Sequence, residues 1–252
     1  MLLLRPTATR PAVSPGPRRP PVDLEIIVPA RDEEGRLPAT LEALSNLLVA
    51  RPWSSAVVVV DNDSVDETSQ ACRTRGRPAI ATYVIGCSDH GKGAAVRRGL
   101  ATSTSRYTGF VDADNATPVG HLDQAMDLLA QGWDAVIGSR LVEGSRPPPR
   151  QSALRQGGSW LFHRTAHRLL PGIADSQCGF KFFDGALVRS VLPRCRIDGF
   201  SFDVELLSLI ARAGGRIAEI PVDWSDMPGS TFSARRDGLR SMADLYRISL
   251  GR

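Results

Sequence analysis

The chain has 252 residues, 42% hydrophobic and 23% charged, which suits one large soluble domain or two small ones and excludes a disordered, collagen-like or membrane-embedded polypeptide. Lys and Arg outnumber Asp and Glu by 31 to 27, a formal charge of +4, but only Lys92 and Lys181 are lysines. Four cysteines form no CxxC pair and no window approaches 18 uninterrupted apolar residues, so a zinc framework and a membrane span are not expected, and a cytoplasmic location is the default.

Residues 1–22 hold six prolines and four arginines and no acid, and are expected to form a disordered leader. They carry the whole net charge, because residues 23–252 balance at 27 basic against 27 acidic. From Asp23 onward, strands are predicted over Leu24–Val28, Ala56–Val60, Ala79–Ile85, Tyr107–Val111 and Ala135–Ile137. Helices are predicted between them over Leu37–Val49, Ser64–Arg75, Lys92–Ala101 and His121–Gln131. Continuous apolar strands such as Val57–Val60 predict burial on both faces, hence a mostly parallel sheet covered by helices. Residues 23–140 thus read as a nucleotide-binding α/β half. Beyond Pro147–Pro149, helices are predicted over Ser152–Leu170 and Phe202–Ala213, a strand over Ile217–Val222 and a closing helix over Asp237–Leu250. On that last helix Leu239, Met242 and Tyr246 share a stripe, read as its core-packing face or, alternatively, as an interfacial stripe.

Open α/β sheets place their ligands beyond the carboxyl ends of the strands. There Val60 runs into Asp61-Asn62-Asp63-Ser64, and Val111 into Asp112-Ala113-Asp114. Alternate residues past a strand end can aim two carboxylates at one point, so Asp112 and Asp114 are candidates to hold Mg²⁺ or Mn²⁺ with a diphosphate. A solvated turn is the competing reading of a bare DxD. Asp89-His90-Gly91-Lys92-Gly93 opens a helix, where glycines allow close approach and Lys92 can reach an anion. Neither GxxxxGK[ST] nor a GxGxxG after the first strand is present, so the nucleotide site is of another kind.

Ile27-Val28-Pro29-Ala30-Arg31-Asp32-Glu33-Glu34 resembles the opening strand and loop of family 2 inverting glycosyltransferases of the GT-A fold. Asp61 to Asp66 resembles their D-D/N-G-S-x-D loop, Asp89 to Gly93 their N-x-G-K-G turn, and Asp112-Ala113-Asp114 falls where their metal motif stands. Asp175-Ser176-Gln177-Cys178-Gly179-Phe180-Lys181 is similar to the D-T-Q-C-G-F-K stretch of dolichyl-phosphate glucosyltransferases, and Phe202 to Leu207 to their F-D-V-E-L-L. Val222-Asp223-Trp224 and Gly229-Ser230 resemble their closing segment, and the likeness to polyprenyl-phosphate mannosyltransferases is looser. Arg31-Asp32 replaces the family's commoner Tyr-Asn, and Asp63 stands where glycine is usual.

The resemblance implies a GT-A fold: an α/β single catalytic domain with a Rossmann-like, mostly parallel central sheet flanked by helices, in which residues 141–252 form an acceptor half. It implies that Pro29, Ala30, Arg31 and Glu33 line the base and ribose pocket, that Asp61 contacts the base, and that Lys92 and Asp112 hold the nucleotide. Asp114 with Asp112 would bind the metal, Gln177 would shape the sugar pocket, and Asp203 would stand near the donor sugar as the catalytic carboxylate beside Asp114. Glu205, two residues along the same helix, cannot share its face and is expected to be structural. Arg140, Arg155 and Ser159 match positions that grip the acceptor phosphate, and residues 140–170 carry six arginines against Glu143 alone. The implied activity is metal-dependent inverting transfer of a hexose, glucose from UDP-glucose, to a polyprenyl or dolichyl phosphate, with contact at the inner face of the cell membrane. Three alternatives stand beside it: a soluble enzyme acting on a small molecule, a GDP-mannose-dependent polyprenyl-phosphate mannosyltransferase, and a non-catalytic nucleotide-sugar-binding protein. No nucleic-acid partner is expected, since no aromatic-rich basic strand or recognition helix is present.

Overall fold

Seven strands form one sheet: Leu24–Ala30 (β1), Ser55–Asp61 (β2), Ala81–Gly86 (β3), Tyr107–Val111 (β4), Ala135–Ser139 (β5), Phe180–Asp184 (β6) and Ile217–Pro221 (β7). Their order is β3-β2-β1-β4-β6-β5-β7 in this computed structural model, which describes residues 19–72, 80–145, 162–225, 227 and 236–251. β3, β2, β1 and β4 pair in parallel, as do β5 and β7; β6 alone runs antiparallel to both of its neighbours. The helices are Leu37–Val49 (α1), Thr68–Ala71 (α2), Lys92–Thr102 (α3), Leu122–Ala130 (α4), residues 162–169 (α5), Gly185–Val191 (α6), Phe202–Arg212 (α7) and Arg236–Ser249 (α8).

The sheet is buried on both faces, which explains why its strands are apolar without alternation. Val57 and Val59 point into the layer shared with Leu37, Leu44, Leu122 and Met126 of α1 and α4. Val58 and Val60 point the other way, toward Leu100 of α3, Phe202 and Leu206 of α7 and Leu245 of α8. Among the described residues no helix is long and apolar enough to cross a membrane.

The structure differs from or adds to the sequence reading at three points. β6 and α6 were not predicted: Lys181 breaks the apolar run of Phe180-Lys181-Phe182-Phe183, and α6 spans only seven residues. Because β6 lies between β4 and β5, the boundary at residue 140 does not divide the sheet, and the two proposed halves share one hydrogen-bonded core. The helix expected over Ser64–Arg75 is helical only at Thr68–Ala71 among the described residues. Residues 1–18, 73–75, 79 and 152–161 of the predicted segments, and Gly229-Ser230, lie outside the described residues. Arg19, expected in the leader, is tied to the domain: its Nε donates to Glu25 Oε1 at 2.7 Å and its Nη2 to the Thr102 carbonyl at 2.9 Å.

Gly109 of β4 pairs with Phe182 of β6, and a Cβ there would run into the Phe182 ring and the Lys181 carbonyl. Gly109→Ala should therefore lower stability by about 1–3 kcal/mol, read as an earlier urea midpoint with an unchanged slope. A midpoint equal to that of the wild type would show that β4 and β6 can part without cost.

Candidate active site

The carboxyl ends of β1, β2 and β4 open onto one cleft of about 790 Å³. Each strand is followed by a non-glycine residue in the left-handed region: Asp32 (φ 57°), Asp63 (φ 59°) and Asn115 (φ 54°). Asp and Asn tolerate that conformation better than other side chains, so the replacement of the family's Asn by Asp32 and of its Gly by Asp63 preserves a backbone requirement. The loops are also bonded to one another. Asp32 N–H donates to Ser64 Oγ (3.1 Å), Val65 N–H to Asp32 Oδ1 (2.9 Å), and Glu33 N–H to Thr68 Oγ1 (2.8 Å).

Asn62, 3% exposed, organises the turn before α3. Its Nδ2 donates to the carbonyls of Cys87 (3.2 Å) and Asp89 (2.6 Å), and its Oδ1 accepts from Gly91 N–H (2.9 Å). Gly91 has φ +124°, and a Cβ there would strike the Asp198 carbonyl. The turn is thus clamped between β2 and the segment before α7, and Lys92 leaves it pointing at Asp112, Nζ to Oδ1 2.6 Å. Burial opposes that positive charge, but Asp112 and Asp203 outweigh it and hold the ammonium above the usual lysine value.

The carboxylates crowd one another. Burial first, then the charge of Asp112, raises the Asp114 carboxyl above its ordinary value. Burial also raises Glu33, against a bidentate grip by Arg36 (both contacts 2.7 Å) and with help from the Asp114 and Asp112 charges. Asp112 owes its place to Gly179: its N–H donates to the Gly179 carbonyl at 3.0 Å, and any side chain on Gly179 would overlap its carboxylate.

Of the residues singled out from sequence, Pro29, Ala30, Arg31, Glu33, Lys92, Asp112 and Asp114 line the cleft together. Asp61 does not, although it ends the neighbouring strand. Its carboxylate accepts from Ser64 N–H (3.1 Å) and the Ser69 hydroxyl, bonds that outweigh burial and lower its pKa. Gln177 is half-buried, its N–H bonded to Asp175 Oδ1 at 3.0 Å, and is also off the cleft wall. Arg155 and Ser159 lie outside the described residues.

Two expected roles meet a different geometry. Arg140, expected to grip a phosphate, spends its fork on fully buried Asp175, through Nε (2.6 Å) and Nη2 (3.0 Å), and stacks over Trp224. Asp203, expected beside the donor sugar, is 4% exposed and absent from the cleft wall; its Oδ1 lies 2.7 Å from Lys181 Nζ. Glu205 faces away from it and accepts the N–H groups of Arg196 and Ile197.

Sequence reasoning missed Lys181, Asn62 and the contribution of α8. Lys181 is fully buried; its rarity among basic residues that are almost all arginine and its place in the Asp175–Lys181 stretch were signals, but neither gave it a role. Arg240, Ser241 and Asp244 of α8 line the cleft, which no local pattern announced, because they arrive through a distant chain crossing.

Asp175 gives a pH test. Burial alone would raise its pKa, but the bonds from Arg140 win and lower it to about 2, from 3.8. A lowered acid contributes stability that is complete above its unfolded value and is lost as pH falls through the folded one, here worth about 2 kcal/mol and lost between about pH 5 and pH 2. The stability gap between wild type and Asp175→Asn, from urea melts, should close over that window; a constant gap would show that the ion pair does not set it.

The family model for glycosyl transferase family 2 matches residues 25–192. The dolichyl-phosphate beta-glucosyltransferase of Dictyostelium discoideum is 31% identical, with 90% of this chain and 75% of that protein covered. The human protein of the same name is 32% identical, with 92% and 76% covered. Among solved structures, glucosyl-3-phosphoglycerate synthase from Mycobacterium tuberculosis, crystallised with Mn²⁺, UDP-glucose and phosphoglyceric acid, superposes with a TM-score of 0.66 at 16% identity, over 90% of this chain and 79% of that one. A mycobacterial protein of solved structure gives 0.68 at 20% identity, over 89% and 73%. With a matching family model over most of the folded domain and its motifs gathered in one cleft, the chain belongs to glycosyl transferase family 2 and is a glycosyltransferase.

Proposed function

We propose that the chain transfers glucose from UDP-glucose to a polyprenyl phosphate such as dolichyl phosphate, inverting the anomeric centre. The observation that carries this reading is the cleft itself, lined by Glu33, Asp114 and the Lys92–Asp112 pair at the carboxyl edge of the sheet. Its support in substrate class is the name shared by the relatives at about 30% identity.

The nucleoside enters along Pro29, Ala30, Arg31 and Glu33, and Lys92 meets the diphosphate, while Asp61, off the cleft wall, shapes the neighbouring loop through Ser64 and Ser69. The donor set fits a divalent cation: two crowded carboxylates, Asp112 and Asp114, supply hard oxygens, and the burial and Asp112 charge that raise Asp114 are what a cation offsets. Among the described residues no three acidic, His or Cys side chains gather as a metal cage, consistent with an ion completed by substrate phosphates. When bound, Mg²⁺ or Mn²⁺ neutralises charge that builds on the leaving nucleoside diphosphate.

In the transfer a phosphate oxygen of the acceptor bonds to the anomeric carbon as the bond to the diphosphate breaks, and the electron pair leaves with UDP. The attacking oxygen is already anionic, so no general base is required. That accommodates the position of Asp203, held beneath the cleft by Lys181, as a positioning group. We assign the acceptor phosphate to Arg240 in place of Arg140. Arg240 is exposed on the cleft wall and makes no hydrogen bond or ion pair among the described residues, whereas Arg140 is committed to Asp175.

Two measurements test this. With radiolabelled UDP-glucose, Mn²⁺ and polyprenyl phosphate, label should pass into the organic phase; Asp114→Asn should lower kcat by about a hundredfold or more, and Arg240→Ala should raise the KM for acceptor more than for donor. Label that moves only to water-soluble acceptors would favour the small-molecule reading. Separately, UDP with Mn²⁺ at about a hundred times its Kd should stabilise the fold by about 2.7 kcal/mol, and EDTA should remove most of that gain.

A further inference from the structure

The stripe of α8 expected to pack on the core divides: Met242 is half-buried against it, whereas Leu239 and Tyr246 stay outside. The buried face consists of Ser241, Asp244, Leu245 and Ile248, each at most 5% exposed. Leu239 and Tyr246 of α8 are 78% and 66% exposed, and Leu250, just past its end, is 50% exposed. At about 100° per residue, Tyr246 and Leu250 fall within roughly 20° of Leu239, so the three form one line about 16 Å long on the side opposite the core. Six large apolar side chains are strongly exposed among the described residues, and three of them lie on this line, which makes it a patch rather than scatter.

The charge beside the line has one sign. Arg240 and Arg247 are exposed along its edge. Asp244, the sole acid between residues 238 and 251, is 4% exposed and already paired with Arg247 at 3.2 Å. A groove of about 580 Å³ runs next to Tyr246 and Leu250 and adds a third arginine, Arg196; its other acid, Asp198, is tied to Arg97. Arg240 and Asp244 belong both to this groove and to the catalytic cleft, so the two are continuous.

We propose that the outward face of α8 is a docking surface for an anionic lipid bilayer, with Leu239, Tyr246 and Leu250 entering the headgroup boundary and Arg247 and Arg196 meeting lipid phosphates. An apolar line flanked by arginines and, among the described residues, free of exposed acid matches that occupant in both chemistry and charge. Docking would set the mouth of the cleft at the membrane plane, where the phosphate of a membrane-held polyprenyl acceptor resides; in this respect the inference rests on the polyprenyl-phosphate reading.

Co-sedimentation with vesicles tests it. The chain should pellet with mixed phosphatidylcholine–phosphatidylglycerol vesicles, should do so much less with phosphatidylcholine alone, and should be released as salt rises. Replacing Leu239→Ser, Tyr246→Ser and Leu250→Ser together should reduce the bound fraction about tenfold, with the melting temperature unchanged because none of the three packs in the core. Failure of the wild type to bind anionic vesicles, or equal binding by the triple variant, would overturn the proposal. So would a dimer that the variant dissolves without any vesicle binding, which would identify a second copy as the occupant. Transfer to a short, water-soluble polyprenyl phosphate, measured on the same preparations without vesicles, should be the same in wild type and variant. Absence of that transfer in the wild type would count against the functional reading alone and leave the vesicle result standing.

Discussion

A lysine without solvent exposure must find a counter-charge, and Lys181 finds Asp203 at 2.7 Å. That contact joins β6 to α7 directly beneath the cleft. The ring of Phe110 on β4 lies 5.4 Å from Lys181 Nζ and 5.9 Å from Lys92 Nζ, so both lysines of the chain stand beside one aromatic ring. Lys92 in turn holds Asp112, whose backbone is bonded to Gly179 at the start of β6. Cations and carboxylates alternate from the core to the cleft surface, and removing one would leave a neighbour uncompensated in a poorly solvated place.

The same logic explains why one reversed strand matters in an otherwise parallel sheet. β6 enters between β4 and β5 and, with the segment before it, brings Gly179, Lys181 and Asp175, the partner of Arg140 at the end of β5, to the carboxyl edge from a part of the chain remote in sequence from β4. The loops opposite are built differently, by left-handed Asp32, Asp63 and Asn115 and by cross-loop bonds such as Asp32 to Val65. One wall of the cleft therefore comes from local turn chemistry and the other from long-range pairing. Arg240, Ser241 and Asp244 complete it from the last helix.

Charge is partitioned to match. The arginine-rich residues 1–22 carry the net excess, and Arg19 anchors their end to Glu25 and Thr102. Within the domain the basic residues that matter are placed singly: Lys92 against Asp112 in the cleft, Arg240 exposed on the cleft wall, and Arg140 committed to Asp175. Bidentate geometry suited Arg140 to phosphate in principle, but a fully buried Asp175 is the closer and better oriented anion.

Much of this was legible in the sequence. Apolar runs such as Val57–Val60 determined the central strands, and Asp112-Ala113-Asp114 and the Gly91-Lys92-Gly93 turn determined where the cleft would form, because these are features of short segments whose backbone sets the direction of their side chains. Resemblance to family 2 glycosyltransferases bound those segments into one site. What the sequence could not determine is anything decided by contact between distant segments: that Phe180-Lys181-Phe182-Phe183 is a strand, that Asp203 faces Lys181 instead of the cleft, that Arg140 is already paired, and which of two stripes on α8 is buried. Both faces of α8 carry apolar residues, so periodicity alone was ambiguous; only the surface of α7 and the core beneath it chose Leu245 and Ile248 for burial and left Leu239 and Tyr246 outside.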